Sequence, residues 1–225
     1  DGGADIRLTA SERIAAESQG LVAEAQRDVK LQVSQTSDSL DLYVDGPFRC
    51  HDSDHGCNWD NPGYETRFAF ELHVPAGARV DLKTINDGDI TVTGVRGGFL
   101  AHNINGSVDM EDVAGAGEAR TINGKVKAVF HSAPAGNCTF ATLNGDMNVY
   151  FPAGLNAVLS YKSFNGAVYS DFDVQPLAST ATVSRRDNGR RVFRRNQFTR
   201  GQVGAGGPEI TLDGFNGNVY IHRVR

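Results

Sequence analysis

Residues of the kinds that announce an enzyme or a membrane span are scarce in this chain. Among its 225 residues are three cysteines, two methionines and one tryptophan, and no stretch of 18 residues is apolar throughout. The chain as given therefore holds no segment that reads as a membrane-crossing helix. The G-x-S-x-G pattern of a nucleophile elbow is absent, so no serine or cysteine stands out as a nucleophile. Basic excess is missing as well: 27 acidic against 22 basic side chains leave a net charge of -5, which argues against a general nucleic-acid role. No signal peptide is read in the chain as given, and the opening Asp-Gly-Gly reads as a mature or trimmed start, so that a lipidated or hydrophobic anchor upstream would not be seen in it. Glycine, by contrast, is plentiful. Its 26 copies, with 12 phenylalanines, fit short strands packed across turns.

Those glycines recur in one phrase: TINDGDITV from Thr84, NINGSVDM from Asn103, TINGKVKAV from Thr121, TLNGDMNVY from Thr142, SFNGAVYS from Ser163 and GFNGNVYI from Gly214. Between Gly88, Gly106, Gly124, Gly145, Gly166 and Gly217 the steps are 18, 18, 21, 21 and 51 residues. A near-constant period of this length predicts stacked β-rungs, because short strands between glycine turns bury a face only by sharing it with their neighbours. The reading is an all-β, single-stranded β-solenoid, a β-helix-like stack of 18–21-residue rungs with an N-terminal strand and helix as cap. The asparagines Asn86, Asn105, Asn123, Asn144, Asn165 and Asn216 are expected above one another, each followed by a glycine that tolerates positive φ. The first copy carries Asp87 as an insertion, read as a bulge or widened turn.

With a strand period of two, Ile104 and Val108, Ile122 and Val126, Leu143 and Met147, Phe164 and Val168, and Phe215 and Val219 are expected to face one core. The alternative is an antiparallel sandwich, since Asn-Gly between alternating residues is also a hairpin signal. Repetition of the same apolar offsets favours the stack.

One domain is expected over 1–225: residues 1–66 as N-terminal strands, helix and cysteine loop, 67–183 as regular rungs, 184–208 as an arginine-rich irregular segment and 209–225 as the final rung. In the first part Ala4 to Leu8 reads as a strand, and Ile14, Ser18, Leu21, Val22, Ala25 and Val29 recur at helical intervals with Ser11 as a cap. Val29 to Val33, Leu40 to Val44 and Tyr64 to Val74 read as strands. The 51-residue gap leaves room for an irregular rung and a hairpin centred on Asp187, Asn188 and Gly189.

The order FELHVPAGARVDLKTINDGDITVTGVRG, followed by successive Asn-Gly phrases, resembles the bacterial "putative adhesin" family with β-strand repeats of unknown function. The resemblance runs from about Arg67 to Val224 and rests on Pro75, Gly77 and the Asn-Gly pairs at 105, 123, 144, 165 and 216. It implies a β-solenoid in an extracytoplasmic or membrane-tethered bacterial protein, and it supplies no catalytic residues. Asn86-Asp87-Gly88, the cysteine loop and the arginine-rich segment depart from the pattern.

Cys50 and Cys57 flank HDSDHG and are expected to close a disulfide worth about 2–3 kcal/mol by loop-closure arithmetic. Metal binding through Cys50, His51, His55 and Cys57, or free thiols, are the alternatives, although the spacing is not that of a common finger or ribbon. Cys138 is expected to be buried as a small hydrophobe. His73, His102, His131 and His222 read as surface or capping residues. Asp87, Asp89, Asp109, Glu111 and Asp112 suggest a carboxylate patch, read as surface charge ahead of a calcium site or paired glycosidase acids.

The densest functional candidate is the run Arg185, Arg186, Arg190, Arg191, Arg194, Arg195 and Arg200, with Phe193 and Phe198 among them. Guanidinium forks suit anionic lipid headgroups, lipopolysaccharide or acidic polysaccharide. The same alternation also suits an edge hairpin whose charges discourage aggregation. The sequence thus leads to a non-enzymatic extracytoplasmic structural or interaction module with an anionic lipid, polysaccharide or envelope protein as partner, no nucleic acid and no cofactor. A homodimer through an open solenoid end, at Val219 and Ile221, is a further expectation. The alternative function is a carbohydrate-active enzyme using paired carboxylates on a solenoid face.

Overall fold

A computed structural model describes residues 5–49, 62–86, 88–177 and 198–224, with the backbone alone at 185–187 and 190–192. Two compact units divide the chain at Val74 and Pro75.

The first unit opens with β1 (Arg7–Ala16), followed by α1 (Gln19–Asp28), β2 (Lys30–Gln35), β3 (Leu40–Asp45) and β4 (Tyr64–His73). β1 pairs antiparallel with β4 along all ten of its residues, from Arg7 opposite His73 to Ala16 opposite Tyr64. That ladder displaces the expected helix start. Residues 11–16 find backbone partners in β4 and stay extended, so α1 begins at Ser18, whose Oγ accepts from the Leu21 amide at 3.3 Å. Gly20 then falls in the first turn, where amides lack intrahelical partners in any case. Ala25 and Val29 bury the inner stripe of the helix, and β2 pairs antiparallel with β3 around a turn closed by Thr36 and Ser39.

The second unit is all-β and holds the repeats. Its strands are β5 (Val80–Thr84), β6 (Ile90–Thr93), β7 (Phe99–Asn103), β8 (Val108–Val113), β9 (Gly117–Asn123), β10 (Val126–Phe130), β11 (Cys138–Asn144), β12 (Met147–Pro152), β13 (Ala157–Ser163), β14 (Val168–Ser170), β15 (Gln175–Pro176), β16 (Arg185–Asp187), β17 (Arg190–Val192), β18 (Thr199–Val203), β19 (Glu209–Asn216) and β20 (Val219–Val224). One sheet runs β14-β20-β12-β10-β8-β6 and the other β15-β18-β13-β19-β11-β9-β7-β5. Successive strands from β5 to β14 alternate between the two sheets. Every pairing among these strands and β19 and β20 is parallel, and only β18 and β15 join antiparallel. The Asn-Gly phrases therefore carry the chain from one sheet to the other, and the antiparallel hairpin alternative does not describe them.

Side chains from both sheets meet in one core. Phe99 and Phe140 come from one sheet, Phe130 and Phe151 from the other, and the ring of Phe130 lies 6.5, 6.1 and 5.0 Å from those of Phe99, Phe140 and Phe151. Val108, Val126, Met147 and Val219, two residues after Gly106, Gly124, Gly145 and Gly217, are fully buried, whereas Val168, two after Gly166 on the edge strand β14, is only half-buried. The residues two before these glycines are not buried, which corrects half of the expected core. Period two holds within a strand but not across a corner, and each Asn-Gly pair is a corner. On the approach to it the inward position belongs to Asn103, Thr121, Thr142 or Ser163. Thr121 donates to the Gly106 carbonyl at 2.7 Å, Thr142 to that of Gly124 at 2.9 Å, and Ser163 to that of Gly217 at 2.8 Å. Ile104, Ile122, Leu143, Phe164 and Phe215 consequently point outward.

The order of strands in space departs from the order in sequence. β19 lies between β11 and β13, and β20 between β12 and β14, so the last repeat inserts beside the fourth rather than following the fifth. Val219 and Ile221 are buried there and offer no open end for a second copy. β16 and β17 pair antiparallel on either side of 188–189. Asp87 lies outside the described residues.

Candidate functional site

The outer face of the eight-stranded sheet carries its side chains in rows, because parallel strands in register place equivalent positions side by side about 4.8 Å apart. Nearest the corner run the asparagines. Asn165 donates its amide to Asn216, Asn216 to Asn144, Asn144 to Asn123 and Asn123 to Asn105, at 2.7, 2.7, 2.7 and 2.8 Å. Amides that donate and accept in sequence along a ladder satisfy one another while remaining at the surface.

One position inward along the chain stands an apolar row in the spatial order Ile85, Ile104, Ile122, Leu143, Phe215 and Phe164. These side chains are between 37 and 63% exposed. The rings of Phe215 and Phe164 stack with centroids 4.9 Å apart and planes 4° from parallel. Single exposed hydrophobes need no explanation, whereas six in contiguous register form a surface feature.

The next row holds Lys83, His102, Arg120, Ala141, Asp213 and Lys162, aligned by strand register. His102 Nε2 lies 2.7 Å from Glu118, which also pairs with Arg120. Lys162 lies 3.2 Å from Asp213, and Lys83 3.2 Å from Asp81. Together the apolar and charged rows line a trough of about 640 Å³. Asp213 is its one carboxylate.

Of the expected acidic patch, Asp89, Asp109, Glu111 and Asp112 lie on or beside the other sheet, where they are engaged. The Lys127 ammonium pairs with Glu111 and lies 3.8 Å from Asp109. The hydrogen bond to Glu111 raises the Lys127 pKa. Asp112 accepts from Arg96 at 2.6 Å and meets His131 Nδ1 at 2.8 Å. Its φ of 55° sits where the pairing of β8 with β10 shifts register. Asp89 accepts the Ser107 amide at 2.6 Å. These carboxylates clamp neighbouring strands, an arrangement unlike two acids facing a sugar across a cleft. Among the described residues no cluster of three or more His, Cys, Asp and Glu is placed to hold a metal. On the same sheet His222 stacks on Tyr150 at 4.3 Å and lies 5.9 Å from Tyr220, which stacks on Tyr169 at 5.1 Å.

Cys50 and Cys57, with His51 and His55, lie outside the described residues, as does every side chain of the arginine run before Phe198. Arg200 is in β18, and its guanidinium is 3.1 Å from Glu209. Phe198 lies under the Lys162 ammonium at 4.5 Å. Cys138 is buried, and burial pushes its thiol up to about 11, above the ordinary value of about 8.5. Between those values the unfolded chain releases a proton that the folded chain keeps, so stability falls as pH rises through the window and is unaffected below it. With Cys50 and Cys57 replaced by serine, Cys138 is expected to resist iodoacetamide at about pH 8 until urea unfolds the chain. Fast labelling of the folded protein would show that the thiol is open to solvent.

The apolar row was visible in the sequence as Ile, Ile, Leu, Phe and Phe at fixed distance from each glycine, but the strand period assigned it to the core. Nothing in the sequence signalled the charged row beside it, whose six members come one from each copy of the repeat.

Fold and surface together define an all-β repeat protein with two largely parallel sheets. No family model matches the chain, and no curated protein does. A solved structure, a "putative cell adhesion protein" from Clostridium sporogenes ATCC 15579, matches 87% of this chain and 76% of its own at 10% identity, with a TM-score of 0.36. A likeness that slight carries no argument. Among the described residues no helix is long and apolar enough to cross a membrane.

Proposed function

We propose that this chain is a non-catalytic β-solenoid of the bacterial envelope, extracytoplasmic in location, whose outer surface serves for interaction. The observation that carries the reading is the set of parallel rows across six strands of the eight-stranded sheet, where asparagine and apolar side chains repeat from strand to strand beside a row that is charged at most positions. A surface of that kind contacts an elongated partner at many equivalent points and offers no single reacting centre. Strand alternation between two parallel sheets supports the solenoid, and the engagement of Asp109, Glu111 and Asp112 by Lys127, Arg96 and His131 weighs against the glycosidase alternative.

The arginines at 185, 186, 190, 191, 194 and 195 are the anion-contacting part of the proposal, supported by their sequence alone, while Arg200 has Glu209 as its partner. The full chain should sediment with vesicles containing about one-third phosphatidylglycerol and not with pure phosphatidylcholine. Retention should fall steeply with added salt and disappear when those six arginines become glutamine. Retention that ignores both salt and the arginines would sink the anion-binding reading.

A further inference from the structure

We infer that the trough on the eight-stranded sheet docks an acidic amphipathic α-helix of a partner protein, lying along the stacking direction across the strands. The inference rests on the interaction-module reading and names the partner for this face.

Shape comes first. The apolar row is one side chain wide, and its five inter-strand steps of about 4.8 Å make it about 24 Å long. A second sheet packed face to face, including that of another copy, would need several adjacent apolar rows. Here it would press on Lys83, Arg120 and Lys162 instead, at the cost of burying charge. A flat bilayer laid on the apolar row would also have to cover the charged row beside it, at the same cost of desolvating charge. A helix about 10 Å across rests on one row and lets the flanking rows reach around it. Its turn of about 5.4 Å nearly matches the strand spacing, so one apolar residue per turn can sit near Ile85, Ile104, Ile122, Leu143 and Phe215 over about 16 residues.

Charge decides the sign of the partner. Within the trough Lys83, Arg120 and Lys162, with His102 between the first two, face one carboxylate, Asp213. Asp81 and Glu118 stand one row farther from the apolar stripe. Each of these cations has donors left after its pairing, since a guanidinium carries five N–H groups and an ammonium three. Carboxylates on one flank of the helix would take them, and lysines there would be repelled. The opposite flank meets the asparagine ladder, whose amides are neutral.

The test titrates the full chain with two fluorescein-labelled helical peptides of about 16 residues, each with a leucine stripe. One carries glutamate beside the stripe and the other lysine. Saturable binding of the acidic peptide is expected, at least tenfold tighter than that of the basic one. The pair Ile122→Ser and Leu143→Ser should weaken it at least tenfold with an unchanged urea midpoint, because both side chains are already half exposed. Arg120→Glu, at a surface position outside the core, should narrow or reverse the preference between the peptides even if the serine pair fails to fold. Equal binding of both peptides, or none by the folded chain, would overturn the inference. So would binding to neutral phosphatidylcholine vesicles that the serine pair abolishes, which would assign the row to lipid. Failure here leaves the arginine-dependent vesicle result standing, so the two proposals fail separately.

Discussion

Alanine in place of Gly145 is expected to cost about 3 kcal/mol or more of stability, with a correspondingly lower urea midpoint and an intact first unit. A Cβ at this position would stand 2.0 Å from the carbonyl oxygen of Gly124 and 2.7 Å from its carbon, and φ is +149°. Neither difficulty has an easy remedy. The obstructing atoms are backbone, fixed by a parallel ladder, and the conformation itself disfavours an L side chain. Gly106, Gly124, Gly166 and Gly217 face the same obstacle, each with a glycine oxygen of the neighbouring repeat 2.0 to 2.3 Å from the added carbon. The glycines thus set how closely the corners stack. Gly154→Ala is the control: nothing lies within 4 Å of the added carbon, and its effect should stay within about 0.5 kcal/mol. Equal midpoints for the two variants would show that the corners can spread.

Phe130→Ala should be comparably damaging, at about 3–5 kcal/mol. Phe130 is 2% exposed and its ring is shared among three others, stacked on Phe151 and edge-on to Phe140 at 89°. Removing it opens a void between the two sheets that strands pinned by their ladders cannot collapse to fill, which places the cost in the upper part of the range for large-to-small changes. The measurement is equilibrium urea denaturation followed by far-ultraviolet circular dichroism. A loss below about 1 kcal/mol would mean that the sheets close over the gap.

The sequence reading succeeds where the determinants are local. Val126 two residues after Gly124, Met147 after Gly145 and Val219 after Gly217 are all buried, because a strand that leaves a corner must alternate, and only one phase puts its apolar residues inside. The same logic misplaces Ile122 and Phe215. The rule of alternation was carried over a corner that resets it, and the hydroxyl of Thr121 claims the inward position by bonding to the carbonyl of Gly106. In the first unit the helical spacing from Ile14 was genuine, but the pull of β4 on residues 7–16 is a tertiary effect that no local propensity reports.

What the sequence determined by itself is the unit of construction: an Asn-Gly corner between short strands, repeated until the copies can stack, with a fixed phase after each glycine. The tertiary structure decided which copies became neighbours and which face they left outside. Asn216 bonds to Asn144, 72 residues away, and Asn165 to Asn216, although sequence order would have joined Asn165 to Asn144. Every copy presents the same register of backbone groups, glycine oxygen and asparagine amide, so the ladder itself accepts any of them. The entropy of closing a longer loop grows only slowly with its length, and the choice among equivalent partners falls to packing between the sheets. Packing is a property of the assembled strands, and it is also what left an apolar row on the outside beside a row of charges.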